Sequence, residues 1–292
     1  MSLILFRLRL VDNQIPKLYN KAPTPFVGQK RNFLKAFRQV ITEHISDGGE
    51  GWTIIDVFGG SGLLANNAKH LLPKAHVIYN DFDDYSSRLR NIADTNRLLI
   101  LLTEVLKDSQ RGKKLSVEVK ARIKAVVTSF NGFVDLQTLS TWLLFSGKQV
   151  STLDELWQHT MYNTIRRTQY QGADGYFDGI EITCESFESL MPKHQDSDKT
   201  LFILDPPYVS TKQGAYALDE YFGMVQFLKL MNLTSPPYIM FSSTRSELLS
   251  YLDYIKEFDA KAWDKLGNYD VISQTSNINN KARYVDNMIY KF

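Results

Sequence analysis

The chain has 292 residues, 43% hydrophobic and 23% charged, with a net charge of +2. That is ordinary for a globular protein with ample core, in one large domain or two small ones. Cys184 is the only cysteine, which excludes an intrachain disulfide and fits a reducing, cytoplasmic setting. No apolar stretch is long enough to span a membrane.

The start, residues 1–11, is apolar but broken by Arg7 and Arg9, too short for a secretory leader. Phe33, Leu34, Phe37, Val40, Ile41 and Ile45 recur at helical spacing and predict an amphipathic helix over 30–46. Ser46 to Gly51 ends it. Thr53 to Phe58 is a short strand, Gly59-Gly60-Ser61-Gly62 a turn, and Leu63 to Leu72 a helix that Pro73 closes. His76 to Asn80 is the next strand and stops at Asp81. Residues 83–105 read as helix. From about 91 to 176 there is no proline, and the segment reads as mostly helical with breaks at Asn131-Gly132 and Ser146-Gly147. Strands follow at Ile180 to Cys184, Leu201 to Leu204 and Tyr238 to Ser242, with one or two more in Tyr284 to Phe292. Strands alternating with helices predict an open α/β sheet, whose ligands bind at the carboxyl ends of the strands.

The run Leu201 to Leu204 ends in Asp205-Pro206-Pro207-Tyr208. Two prolines fix φ and carry no N–H, so their carbonyls are held as acceptors. A carboxylate, fixed carbonyls and an aromatic face suit a flat heterocycle bearing an exocyclic amine, the way a flipped-out base is read. The competing reading is a strand that stops at a proline turn, with Tyr208 packed locally. Upstream, a strand, a glycine turn and a helix start form a nucleotide-type cradle, because small residues let a ligand approach the backbone. Asp81 stands where an acid can meet ribose hydroxyls. The glycines do not spell G-x-G-x-x-G and no Walker lysine is present, which turns the reading toward another adenosine-bearing cofactor. Ser235-Pro236-Pro237-Tyr238 imitates a catalytic S-P-P-Y, but it precedes its strand and so lies at the wrong edge of the sheet.

These blocks, in this order, resemble the Dam-type DNA adenine-N6 methyltransferases. Phe26-Val27-Gly28-Gln29-Lys30 resembles the family's N-terminal cofactor block. Asp56 to Gly62 resembles its D-x-F-x-G-x-G block, Asn80-Asp81 its ribose block, and Asp205 to Tyr208 its catalytic D-P-P-Y. The family places Trp where Phe26 stands and an Asp-Phe pair where this chain has Ser186-Phe187. Glu185 is the nearest substitute carboxylate.

The resemblance implies a Rossmann-like S-adenosylmethionine-dependent methyltransferase sheet from 1–90 and 177–292, with a mostly helical target-recognition domain inserted at 91–176. Asp205, Pro206, Pro207 and Tyr208 would be catalytic. Phe26, Gly28, Lys30, Asp56, Phe58, Gly60, Gly62, Asp81, Phe187 and Asp205 would hold S-adenosylmethionine. The partner would be double-stranded DNA, the enzyme a monomer, with a cognate restriction endonuclease as a further partner and no membrane association. The five histidines lack ligand spacing, so no metal is expected. From Arg97 to Tyr170 eleven Lys/Arg face six Asp/Glu, a local excess of +5. A basic insertion on a near-neutral scaffold fits phosphate contact, and Lys124, Arg166 and Arg167 are the candidates. The competing reading for Tyr162 to Arg167 is the solvated face of a helix. An RNA or protein-glutamine methyltransferase, or a DNA-binding relative without catalysis, stays open.

Overall fold

The computed structural model describes residues 15–209, 222–243, 246–279 and 282–292. The leader reading for residues 1–11 lies outside them. In chain order the elements are α1 (Leu34–His44), β1 (Thr53–Asp56), α2 (Leu63–Leu71), β2 (His76–Asn80), α3 (Tyr85–Arg90), α4 (Ile92–Val105), α5 (Val117–Ser129), α6 (Leu136–Leu143) and α7 (Leu153–Gln158). Then come β3 (Ile180–Thr183), α8 (Phe187–Leu190), β4 (Thr200–Leu204), α9 (Met224–Leu233), β5 (Tyr238–Ser243), α10 (Leu248–Phe258), α11 (Ala260–Leu266), β6 (Asp270–Asn279) and β7 (Ala282–Lys291).

The strands form one seven-stranded sheet in the order β3-β2-β1-β4-β5-β7-β6. β3 through β5 pair in parallel, and β7 is antiparallel to both β5 and β6. The central strands are buried on both faces, so they read as continuous apolar runs rather than alternating ones. Successive residues still split between two cores, as a pleated strand requires. Ile54, Val77, Leu201, Ile203 and Ile239 pack with α1 and α2. Ile55, Ile78, Phe202, Leu204 and Met240 pack with α8 to α11. This is the Rossmann-like α/β architecture expected from the sequence.

Because β1 lies between β2 and β4, the order of strands reverses at β1. Asp56 of β1 sits level with Ile203 of β4 in the register. The glycine turn after β1 and the Asp205 loop after β4 therefore leave the sheet at the same edge and side by side. Ser235 to Pro237 enter β5 at the opposite edge, where the Pro237 carbonyl accepts from Phe202 N at 3.2 Å.

Helices α4 to α7 lie between β2 and β3 in sequence and share a third core with α3, including Leu98, Leu102, Ile123, Leu139, Trp142 and Leu156. Polar side chains start these helices: Ser116, Asp135 and Thr152 each accept a backbone N–H at an N-terminus. Arg88 of α3 clasps this layer to the segment that precedes α1. Its guanidinium is 5% exposed, pairs with Asp135 at 3.0 Å, and donates to the Pro25 carbonyl at 2.6 Å. Removing one side of such a buried pair costs about 3–5 kcal/mol, because the partner is left as an uncompensated charge.

The segment Tyr162 to Arg167 is not helical. It runs extended, with Tyr162 bridged to Lys114 and Asn163 N donating to the Lys113 carbonyl at 3.0 Å. On its other side Tyr162 N donates to the Leu143 carbonyl at 2.8 Å. Among the described residues no helix is long and apolar enough to cross a membrane.

Candidate active site

At the carboxyl edge of β1 and β4 lies a cavity of about 250 Å³. Three chain segments make most of its wall: Phe26 to Lys30, Asp56 to Ser61 and Glu185 to Phe187. Asp205 and Pro207 close it from β4. Of the residues singled out in the sequence, Phe26, Gly28, Lys30, Asp56, Phe58, Gly60, Phe187, Asp205 and Pro207 line it. Pro206 and Tyr208 follow Asp205 on the same loop without forming its wall.

The glycine turn is tight for identifiable reasons. Gly60 and Gly62 have φ of 49° and 64°, a region that side chains with a Cβ seldom adopt. A Cβ on Gly60 would lie 2.9 Å from the Phe26 ring, and one on Gly62 would lie 2.4 Å from the Phe177 ring. Gly62 thus supports the turn from behind, without facing the cavity. The Phe26 ring meets Tyr85 edge-on at 5.6 Å. On the other wall Phe58, Phe187 and Phe222 form a cluster with centroids 5.8–6.0 Å apart. The walls are aromatic and flat, and the floor is charged.

Lys30 forms an ion pair with Asp205, and their side chains are only 16% and 21% exposed. The Lys30 ammonium also donates to the Gly28 carbonyl at 3.0 Å. Gly28 is itself left-handed, with φ of 86°. Asp56 is 1% exposed, and its carboxylate accepts from Ala65 N at 3.3 Å. Burial first, and then the charge of Asp205, push the Asp56 carboxyl up to about 7, against the pull of the Ala65 N–H and of Lys30. Burial also raises Asp205, with Lys30 opposing it and Asp286 adding to it.

Asp81 does not reach the cavity. Its carboxylate accepts from Tyr85 N at 2.7 Å and Ser86 N at 2.9 Å, and the Tyr79 hydroxyl lies 2.8 Å away. It caps α3, whose first N–H groups have no partner within the helix, so the carboxylate expected from the sequence to meet ribose is engaged within the fold. The acid of this loop that lines the cavity is Asp83, next to Phe82. The stretch Asp81-Phe82-Asp83-Asp84 showed several acids, but nothing in it ranked them. Phe222 and Gln226 also line the site and carried no motif signal. Ser186, where the family has Asp, caps α8 by accepting from Ser189 N at 3.2 Å. Glu185 is on the cavity wall and pairs with Lys193.

The basic candidates lie in the α4–α7 layer. Arg167 and Lys124 are exposed, and the Lys124 ammonium is 5.8 Å from the Trp157 ring centre. Arg166 stacks on Tyr170 at 3.8 Å and donates to the Thr168 hydroxyl at 3.0 Å, so its head group is partly committed to the fold.

No family model matches the chain. A Haemophilus influenzae (strain ATCC 51907 / DSM 11121 / KW20 / Rd) protein described as "Putative methyltransferase" is 48% identical over 277 residues, which cover 94% of each chain. The chain belongs to this methyltransferase family. Two solved structures also match the methyltransferase along most of its length, at low identity. A Clostridium thermocellum "putative rRNA-methylase" matches at 13% identity and TM-score 0.33, over 89% of this chain and 97% of that one. A precorrin-6y C5,15-methyltransferase of Geobacter metallireducens GS-15 matches at 8% identity and TM-score 0.35, over 91% and 93%. Likeness at this level does not bear on the substrate.

Two outcomes follow from the site. The folded value of Asp56, about 7, lies above the ordinary 3.8. The native methyltransferase therefore holds a proton that the unfolded chain releases, and this group makes stability fall as pH rises from 3.8 to about 7. Urea unfolding at stepped pH should show that fall, and Asp56→Asn should flatten it; an unchanged slope in the variant would contradict the assignment. Second, Asp81→Ala should cost about 1 kcal/mol of stability through the lost cap, while Asp83→Ala, on the cavity wall, should cost less. Urea unfolding of both variants checks the order.

Proposed function

We propose that the protein is a site-specific DNA methyltransferase acting on the N6 amine of an adenine turned out of the duplex. The observation that carries this reading is the position of Asp205-Pro206-Pro207-Tyr208. It leaves β4 beside the glycine turn, with Asp205 and Pro207 on the wall of the aromatic cavity. S-adenosylmethionine is the cofactor the reading requires; when bound, it supplies a methyl group activated on a sulfonium.

The site fits that molecule. Phe26 on one side and Phe58, Phe187 and Phe222 on the other offer flat faces for an adenine ring. Gly60 leaves the backbone open where a Cβ would crowd Phe26. Asp83 takes the role first read for Asp81, accepting from ribose hydroxyls. Asp56, Asp83, Glu185 and Asp205 make the lining acidic, with Lys30 the one Lys or Arg among the described lining residues. Such a lining favours a cationic ligand with a single carboxylate.

The chain's own part in the chemistry is to hold acceptors in place. The amine of adenine is a poor nucleophile because its lone pair is delocalised into the ring. Asp205 and the Pro206 carbonyl accept its two hydrogens and localise that pair, and Tyr208 stacks on the base. Positioning supplies most of the rate, and fixed acceptors stabilise the positive charge that develops on nitrogen. Asp205 need not remove a proton before transfer. Turning the base out costs about a few kcal/mol, which contacts elsewhere on the DNA must offset.

The layer of α4 to α7 is the part of the protein we assign to DNA. Its excess of +5 over 97–170 supports this. So does the backbone pairing of 113–115 with 161–163, which brings Arg111, Lys113 and Lys114 beside Arg166 and Arg167. Two basic tracts about fifty residues apart in sequence become one surface suited to phosphates.

Asp205→Ala should abolish methyl transfer while leaving DNA affinity within about threefold, since the contacts that carry affinity are phosphate contacts made elsewhere. Filter binding beside a turnover assay separates the two. DNA binding lost in step with activity would count against the catalytic assignment.

A further inference from the structure

We propose that Lys30 is a latch on Asp205, one that the cofactor's carboxylate releases. The inference rests on the cofactor assignment above and adds a positioning role for Lys30. Three observations carry it. First, the Lys30 ammonium is paired with Asp205, so it occupies the acceptor that the target amine needs. Second, Lys30 is the one Lys or Arg among the described residues lining the cavity, against four acidic side chains. Among these residues a ligand carboxylate entering the cavity meets one cationic side chain, and that side chain is already held by Asp205. Third, Lys30 is anchored on its own short segment, where it donates to the Gly28 carbonyl at 3.0 Å. Its stem can swing between two acceptors without rearranging the sheet.

The consequence is an order of events. An entering carboxylate competes with Asp205 for the ammonium, and the ammonium moves with it. Asp205 is then open to the amine of the base, in a cavity that already holds the methyl donor. Without the cofactor, Asp205 stays closed, and a base turned out of the duplex meets an ion pair instead of an acceptor. Lys30 acts through Asp205 and is a positioning residue, distinct from the groups that hold the reacting nitrogen.

The test is a calorimetric comparison of two probes, S-adenosylhomocysteine and its decarboxylated analogue. Their affinity ratio reports only what the carboxylate gains, because other contributions are shared. Wild-type protein should prefer the carboxylate form. Asp205→Asn removes the competitor for Lys30 and should raise the preference by about tenfold, the size of one charge-assisted hydrogen bond. Lys30→Gln should collapse the preference to near one, and adding Asp205→Asn to it should then change nothing. Binding of the decarboxylated analogue shows that each variant is folded, and Asp205→Asn alone decides the question with Lys30 intact. A ratio unmoved or lowered by Asp205→Asn, or one that survives Lys30→Gln, would overturn the latch while leaving the cofactor assignment standing. Failure of the wild-type protein to bind either probe would overturn the cofactor assignment itself.

Discussion

The site depends on one pairing, the parallel contact of β1 with β4. These two strands are far apart in sequence, and each ends in an acid: Asp56 at the end of β1 and Asp205 just past β4. Placing them side by side puts two carboxylates on the floor of one cavity, away from most of the solvent. Like charges that close, in a low-dielectric setting, cannot both ionise without a counter-charge. Lys30, delivered from the segment before α1, supplies one. Much else follows from that arrangement: the raised Asp56, the closed Asp205, and an interior acidic enough to favour a cationic ligand.

The surrounding structure holds this arrangement rigid. Arg88 ties the Phe26 to Lys30 segment to α6 through the Pro25 carbonyl and Asp135. Asn80 donates to the Val57 and Glu185 carbonyls at 2.9 and 2.8 Å, and so joins the ends of β1, β2 and β3. Tyr79 packs beneath Gly59, and its hydroxyl reaches the Gly60 carbonyl at 2.7 Å. Each of these contacts fixes a loop that lines the cavity, and Asn80, Gly60 and Glu185 are themselves part of its wall. A site on fixed supports needs little reorganisation when charge develops, which is the condition under which acceptors such as Asp205 are most effective.

Much of the fold was legible because local signals agreed with the global arrangement. The apolar runs at 53–58, 76–80 and 201–204 marked the central strands. The binding-edge rule separated Asp205-Pro206-Pro207-Tyr208 from its imitation at Ser235 to Tyr238. What stayed hidden depended on contacts far apart in sequence. The strand Asp270–Asn279 is mostly polar and lies at the edge of the sheet, with residues 270–275 at least partly exposed, so it showed no buried run. Residues 161–165 are extended because they pair with 113–115 and the end of α6, which no local pattern reveals. Asp81 and Asp83 are chemically alike. Only the start of α3 decides which carboxylate turns inward to cap it and which faces the cavity. Lys30 was read as a cofactor residue from its block, and its contact with Asp205 appears only once β4 is placed.

The central claim is that these acceptors act on an adenine amine in DNA. The most direct test is incubation of the purified protein with unmethylated genomic DNA and methyl-labelled S-adenosylmethionine, followed by nucleoside analysis and mapping of the modified positions. The account predicts label in N6-methyladenine at one short sequence. Label in N4-methylcytosine, or label that enters RNA or protein while the DNA stays blank, would contradict it.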